Sequence, residues 1–188
     1  MALKSTVYKV SLNVADMDRQ VYGDFPLVVA RHPSETEARM MLRVLAFALH
    51  ASDRLVFGRG ISTDDEPDLW QKSLTGEIEL WVELGTPEPE RLKKACGRAQ
   101  AVVLYCYGDR ATPVWWSKHR PMLEGLDRLA VYQISDDPCS QLAALAASLD
   151  SLQCTIESGE AWFSGDNASV HVTPVTLKAG GAMHGQGR

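Results

Sequence analysis

The sequence has no paired cysteines, no grouped histidines and no nucleotide-binding glycine signature, and each absence closes a class of function. Its four cysteines stand at positions 96, 106, 139 and 154, too far apart for a CxxC redox or zinc pair. Cys96, Cys106 and Cys154 lie in apolar surroundings, which reads as buried, reduced thiols. The five histidines, at 32, 50, 119, 171 and 184, form no HxH or HxxxH set, so a zinc site is not expected. Gly58-Arg59-Gly60 continues into neither GxxxxGK(S/T) nor GxGxxG, and Ser34, Ser62 and Ser117 lack the G-x-S-x-G setting of a nucleophile elbow. No stretch approaches the roughly 18 to 20 uninterrupted apolar residues of a membrane span. The opening residues run directly into an alternating pattern without the apolar core of a signal segment. The expected location is the cytoplasm, with no membrane partner.

What is present describes an ordinary globular chain. The 188 residues are 45% hydrophobic and 23% charged, enough for one substantial core and little room for two. A net charge of −5 argues against indiscriminate coating of polyanions and leaves a local basic cleft as the route to nucleic acid.

Hydrophobic periodicity divides the chain into strands and helices. Tyr8, Val10, Leu12 and Val14 alternate with polar residues, and Gly23 to Val29 can return antiparallel beyond the Asp16-Met17-Asp18 turn. A helix follows Pro33, with Ser34 as the expected cap, Glu37 at the third position of a capping box, and Ala38, Met41, Leu42, Leu45 and Ala48 as its apolar stripe. Leu55–Phe57 and Glu77–Leu84 read as strands, Pro89–Arg98 as a helix, and Ala101–Tyr107 as a central strand covered on both faces. Trp115-Trp116 leads toward a helix near Pro121–Leu126, Leu129–Ile134 is a strand, and Pro138–Leu149 is helical. Strands are expected over Leu152–Glu157, Glu160–Ser164 and Ala168–Leu177, with residues 178–188 a frayed tail. This order argues an α/β fold, with α+β the alternative, built on a mixed sheet flanked by helices within one domain over residues 1–177.

The chemistry-bearing feature is a set of carboxylates around two structure breaks. Asp64, Asp65, Glu66 and Asp68 crowd one loop and the start of the next strand. Glu79 and Glu83 share a strand face but stand about 13 Å apart, so Glu83, at the strand end, is the better partner for the loop. Two or three oxygen ligands there suit Mg²⁺, and Lys93 or Lys94 on the following helix offers charge for a phosphate. The same residues also suit a solvated acidic surface beside a wet helix face. Trp115 and Trp116, with Lys118, His119 and Arg120, form a second candidate, a stacking and phosphate-contact patch, for which core packing and simple surface charge are the alternative account.

Five segments in order resemble the YaeQ family: residues 2–10, Ala30 to Arg43, Asp64-Asp65-Glu66-Pro67-Asp68-Leu69-Trp70, Leu80-Trp81-Val82-Glu83-Leu84-Gly85, and Lys93-Lys94-Ala95-Cys96. That resemblance implies a variant of the PD-(D/E)XK nuclease fold, a restriction-endonuclease-like core with additional strands, in which a helix, three strands, a second helix and a further strand carry the common part. It implies Glu37 as the helix carboxylate, Asp68 after Pro67 as the metal-binding acid with Asp65 the alternative, and Glu83 as the acid of the second motif. The lysine expected two residues later is replaced by Gly85, so Lys93 or Lys94 would take its place, with periodicity favouring Lys93. The implied function is a Mg²⁺-dependent, nuclease-like action on DNA or RNA. The alternative is a noncatalytic module binding nucleic acid or a protein partner in transcription.

Overall fold

The computed structural model describes residues 4–59 and 65–181 and contains two mixed β-sheets with helices between and beside them. Strands β1 (Thr6–Asp16) and β2 (Val21–Arg31) form a long antiparallel hairpin, as the alternating pattern predicts. Helix α1 (Glu37–Leu49) follows, then β3 (Leu55–Phe57), β4 (Leu69–Lys72) and β5 (Ile78–Leu84). Helix α2 (Pro89–Arg98) leads into β6 (Ala99–Tyr107), α3 (Ala111–Leu123) and β7 (Leu129–Ile134). Helix α4 (Asp136–Leu142) tightens into a 3-10 turn over Ala143–Ala147, ahead of β8 (Leu152–Glu157), β9 (Glu160–Ser164), β10 (Ser169–Val172) and β11 (Val175–Lys178). One sheet has the order β10-β9-β8-β1-β2 and the other β11-β7-β6-β5-β4-β3.

The expected single sheet is therefore two, and α1 is the element that joins them. Its residues Met40 to Ala48 are all buried, and it packs against β1 and β8 of one sheet and β4 and β5 of the other. A helix buried on every side through its middle belongs between two layers, not on a surface. The inward faces of both sheets and α1 share one cluster that includes Leu12, Phe47, Val82, Val103 and Phe163. The opposite face of the six-stranded sheet carries Trp81, Val102, Leu104 and Val131, covered by α2 through Leu92 and Ala95 and by α3 through Leu123.

Four boundaries depart from the pattern-based expectation. The cap of α1 is Thr36, whose hydroxyl accepts from the Arg39 amide at 3.1 Å, because Ser34 is engaged with His32 in the preceding turn. Glu37 is consequently the first helical residue and not the third position of a capping box. Trp115 and Trp116 lie inside α3, which starts at Ala111 and includes Pro121. The helix expected to start at Pro138 begins at Asp136 and gives way to the 3-10 turn at Ala143. Finally, the strand expected over Ala168–Leu177 is two strands, broken at Thr173-Pro174, and the chain crosses there from one sheet to the other. Proline cannot donate to a ladder, so the break falls where the pattern alone reads continuous. Lys178 belongs to β11 and donates to the Leu126 and Leu129 carbonyls, while residues 182–188 lie outside the described range.

Candidate functional site

The ends of β4 and β5 and the first turns of α2 border a cleft of about 820 Å³. Leu69 pairs with Val82 across the antiparallel ladder, so one step further along Asp68 lies beside Glu83. The loop before Asp68 is held by a close backbone approach. A Cβ on Gly58 would stand 2.0 Å from the Pro67 carbonyl oxygen, and the Gly58 amide donates to the Asp68 carbonyl at 2.9 Å. Only glycine fits there. Asp68 in turn accepts from the Leu84 amide at 2.9 Å, which ties its carboxylate to the strand that carries Glu83.

Both carboxylates are largely withdrawn from solvent and both meet a guanidinium. Arg39, from α1, reaches Asp68 at 3.0 Å. Arg91, from α2, donates to Glu83 at 2.8 Å and to the Glu66 carbonyl at 2.7 Å. The Glu83 oxygen that takes Arg91 also accepts from the Trp81 indole at 2.9 Å. Burial pushes the Glu83 carboxyl above its ordinary value, and the neighbouring charge of Asp68 pushes the same way. Arg91 and the hydrogen bond from Trp81 pull it back without cancelling the rise. For Arg39, burial opposes the charge, but Asp68, Tyr107 and Glu35 outweigh it and hold the guanidinium firmly protonated.

Behind Arg39 stands a buried ion pair that the sequence patterns did not expose. Glu35, 4% exposed, takes a two-point contact from Arg43, 2% exposed, at 2.9 and 2.7 Å. Arg39 bonds the same carboxylate at 3.1 Å, so it bridges Glu35 and Asp68. The available signal was composition: Arg43 is the one charged residue within the otherwise apolar run Met40 to Ala48. A charge inside a fully buried helix requires a buried partner.

The expected site residues separate into two groups. Asp68, Glu83 and Lys94 border the cleft, as does Asp65, whose backbone carbonyl accepts from Arg98 at 3.1 Å. Lys93 is exposed and does not line it. The cleft-facing row of α2 is Arg91, Lys94 and Arg98, at helical spacings of three and four, and Lys93 falls off that row. Glu37 points away, 54% exposed and 3.7 Å from Arg31. Glu79 sits further down β5, bonded to Gln71 and Arg54. Asp64 lies outside the described residues. Gly85 ends β5 with φ +102°, a conformation that side-chain-bearing residues rarely adopt, which gives a physical reason for the missing lysine.

The second candidate patch is built differently from a stacking platform. Trp115 donates its indole N–H to the Pro87 carbonyl at 3.0 Å, and both tryptophans pack against the α2–α3 side of the sheet. Arg120 pairs with Glu124. Three of the four cysteines, Cys106, Cys139 and Cys154, are buried free thiols and Cys96 is half-buried. Among the described residues no helix is long and apolar enough to cross a membrane.

Donor chemistry tests whether a metal suits the cleft. Two adjacent carboxylates are the kind of set that Mg²⁺ uses, since it commonly takes one or two and fills its other positions with water and substrate phosphate. Among the described residues no group of three His, Cys, Asp or Glu side chains comes together. Asp68 and Glu83 are oxygen donors of that kind, and each already pairs with a guanidinium, Arg39 and Arg91 respectively.

Comparison with known proteins returns one family. A family model described as YaeQ protein matches residues 1–174. A protein of Escherichia coli (strain K12) named "Uncharacterized protein YaeQ" is 43% identical over 172 residues, 92% of this chain and 95% of that one. Its namesake in Salmonella typhi is 45% identical over 164 residues, 87% and 91% of the two chains. The crystal structure of YaeQ protein from Xanthomonas axonopodis pv. citri superposes with a TM-score of 0.89 at 42% identity, covering 93% of this chain and 99% of that one. The YaeQ protein from Pseudomonas syringae gives 0.85 at 35% identity, covering 93% and 97%.

Proposed function

The chain belongs to the YaeQ family, and from that premise we propose that its cleft binds a nucleic-acid phosphodiester, DNA or RNA, and holds Mg²⁺ on Asp68 and Glu83 in the manner of a nuclease. The observation that carries this reading is the adjacency of these two carboxylates at the mouth of a cleft whose helical wall presents Arg91, Lys94 and Arg98. The element order α1-β3-β4-β5-α2-β6, with β5 and β6 parallel, supports a variant PD-(D/E)XK core, because it repeats the helix, three strands, helix and strand of that group. Pro67 and Asp68 immediately precede β4, and Glu83 stands near the end of β5.

Each residue then has a chemical task. When bound, Mg²⁺ neutralises phosphate charge and makes a bound water a better nucleophile. Lys94 and Arg98 present positive charge to a backbone phosphate, and Lys94 supplies from α2 the charge that Gly85 cannot supply from β5. Arg39, together with the Leu84 amide, holds the Asp68 carboxylate at the end of β5. Trp81 fixes the Glu83 carboxylate from beneath.

A second reading is favoured by one specific observation: each carboxylate already holds a guanidinium. In that case the chain is a noncatalytic module that uses the same cations to bind nucleic acid. Labelled single- and double-stranded DNA and RNA, incubated with Mg²⁺, Mn²⁺ or EDTA, separate the two. Metal-dependent cleavage abolished by Glu83→Ala supports the nuclease-like site. Retention without cleavage, indifferent to Glu83→Ala but lost in Lys94→Ala/Arg98→Ala, supports the binding module. Neither cleavage nor retention overturns both.

A further inference from the structure

The face of the six-stranded sheet that carries Trp81 continues past the cleft toward the sheet's edge. Trp70 is the cross-strand partner of Trp81, and Val56 of β3 is the partner of Trp70, so the three share one row. Helices α2 and α3 pack on this face along β6, and Trp81 beside them is 2% exposed. At the edge Val56 is 51% exposed, and Trp70 between the two is half-buried. Trp70 follows Asp68 by two residues, about 7 Å in an extended chain, so it adjoins the cleft.

The surroundings of Trp70 are those of a platform. Its ring meets that of Trp81 in a T-shaped contact at 6.0 Å, which fixes its orientation. Over the ring lies the Lys72 ammonium, 3.8 Å from the centroid. Lys72 is exposed, and among the described residues its ammonium makes no ion pair or hydrogen bond. Trp81 and Trp115 donate their indole N–H groups to Glu83 and to the Pro87 carbonyl, whereas that of Trp70 has no partner among the described residues. Positive charge flanks the platform on both sides. Arg98 stands over the Trp81 ring at 5.1 Å, with Lys94 one turn before it on α2, and Lys72 lies beyond.

We propose that Trp70 is a base-stacking platform beside the cleft and that the nucleic acid bound there is single-stranded. A nucleotide whose phosphate lies against Lys94 and Arg98 lays its base on the Trp70 ring, and the Lys72 ammonium shifts from the ring to the adjoining phosphate. An exposed cation–π contact is weaker than a base–indole stack, so the base displaces the ammonium. In a duplex the base faces cover one another and an indole beside the backbone cannot reach them, whereas a single strand offers them freely. A chain of net charge −5 gains little from long-range attraction to a polyanion, and stacking supplies affinity that does not depend on it. This inference rests on the nucleic-acid reading given above and needs no metal.

The test uses the whole chain in EDTA and three fluorescein-labelled probes read by anisotropy: a short oligothymidylate, its duplex with oligoadenylate, and a strand of the same length with abasic residues throughout. Wild type is expected to bind the base-bearing strand about tenfold more tightly than either the duplex or the abasic strand, the size of one base–aromatic stack. Trp70→Leu should lose that factor and bind the base-bearing and abasic strands alike, while Trp70→Phe, which keeps a ring, should retain most of it. A merely structural role for Trp70 would weaken all three probes together, and thermal melts establish that both variants fold. The comparison of base-bearing with abasic strand in wild type needs no variant at all. If wild type binds the duplex or the abasic strand as tightly as the base-bearing strand, the platform is refuted while the cleft reading stands. If wild type binds none of the three, the nucleic-acid reading fails and takes the platform with it.

Discussion

Replacing Glu35 with alanine takes a carboxylate from two guanidinium groups at once. Arg43 is 2% exposed and spends its Nε and one Nη on the Glu35 carboxylate, with a further bond to the Ala30 carbonyl at 2.8 Å. Arg39 loses one of the two carboxylates that it bridges. Breaking a buried pair by removing one member costs about 3–5 kcal/mol, because the other charge is left in a low-dielectric interior without compensation. At roughly 2–4 °C per kcal/mol for a chain of this length, the melting temperature should fall by about 6–20 °C. Urea denaturation followed by far-UV circular dichroism measures the loss directly. A double variant sharpens the argument. Glu35→Ala/Arg43→Met removes both buried charges and should recover at least about 1 kcal/mol of the loss, since the two residues couple through one contact. A loss for Glu35→Ala below about 1 kcal/mol, the ordinary value of an exposed pair, would refute the claim that this network is a buried structural element.

Other perturbations follow from the same geometry. Gly85→Lys puts a lysine where the nuclease motif has one, but at φ +102° it should destabilise the fold by about 1–3 kcal/mol in urea titrations; a neutral result would contradict the strained turn. The Glu83 carboxyl is raised in the folded state above its ordinary 4.5, so its contribution to stability is full below that pH and declines as pH rises through the folded value. The stability difference between wild type and Glu83→Gln should accordingly move in favour of the variant as pH increases above 4.5, and a flat difference would show that Arg91 cancels the burial. Burial pushes the thiols of Cys106, Cys139 and Cys154 up to about 12. Iodoacetamide at pH 8 should label these three only as fast as the protein unfolds, with Cys96 the first site found by mass spectrometry.

The parts of this fold that were legible in the sequence are those whose pattern reports local geometry. From Leu80 to Leu84 strand β5 alternates, so the shared face of Trp81 and Glu83 could be read directly, whereas Ile78 falls on the Trp81 side past a register shift; α2 runs from Pro89 to Arg98 as its proline start and apolar stripe suggest. What escaped depends on neighbours distant in sequence. Helix α1 reads as amphipathic from one stripe, yet its other face meets a second sheet, and that sheet exists only because β8 joins β1 from about 140 residues later. The stripe leaves Arg39 and Arg43 without a role, whereas one is buried against Glu35 and the other bridges two carboxylates. The choice between Lys93 and Lys94 turned on the same blindness. The buried stripe of α2 was visible, but the direction of the cleft was not, and the cleft selects the row with Arg91 and Arg98. Glu37 matched a family position by sequence order, whereas the local turn at His32 to Glu35 starts the helix later and turns it outward. The Thr173-Pro174 break was there to be read, since a proline inside a strand pattern argues for interruption.

The central claim is that Asp68 and Glu83 together hold a divalent cation when a phosphodiester occupies the cleft. Crystals grown with thymidylyl-thymidine and soaked in MnCl₂ test it through an anomalous difference map at the manganese edge. The account predicts one strong peak within ligand distance of both carboxylates, absent in crystals of Glu83→Ala. Dinucleotide density in the cleft with no metal peak between Asp68 and Glu83, and both arginines still on their carboxylates, would contradict it.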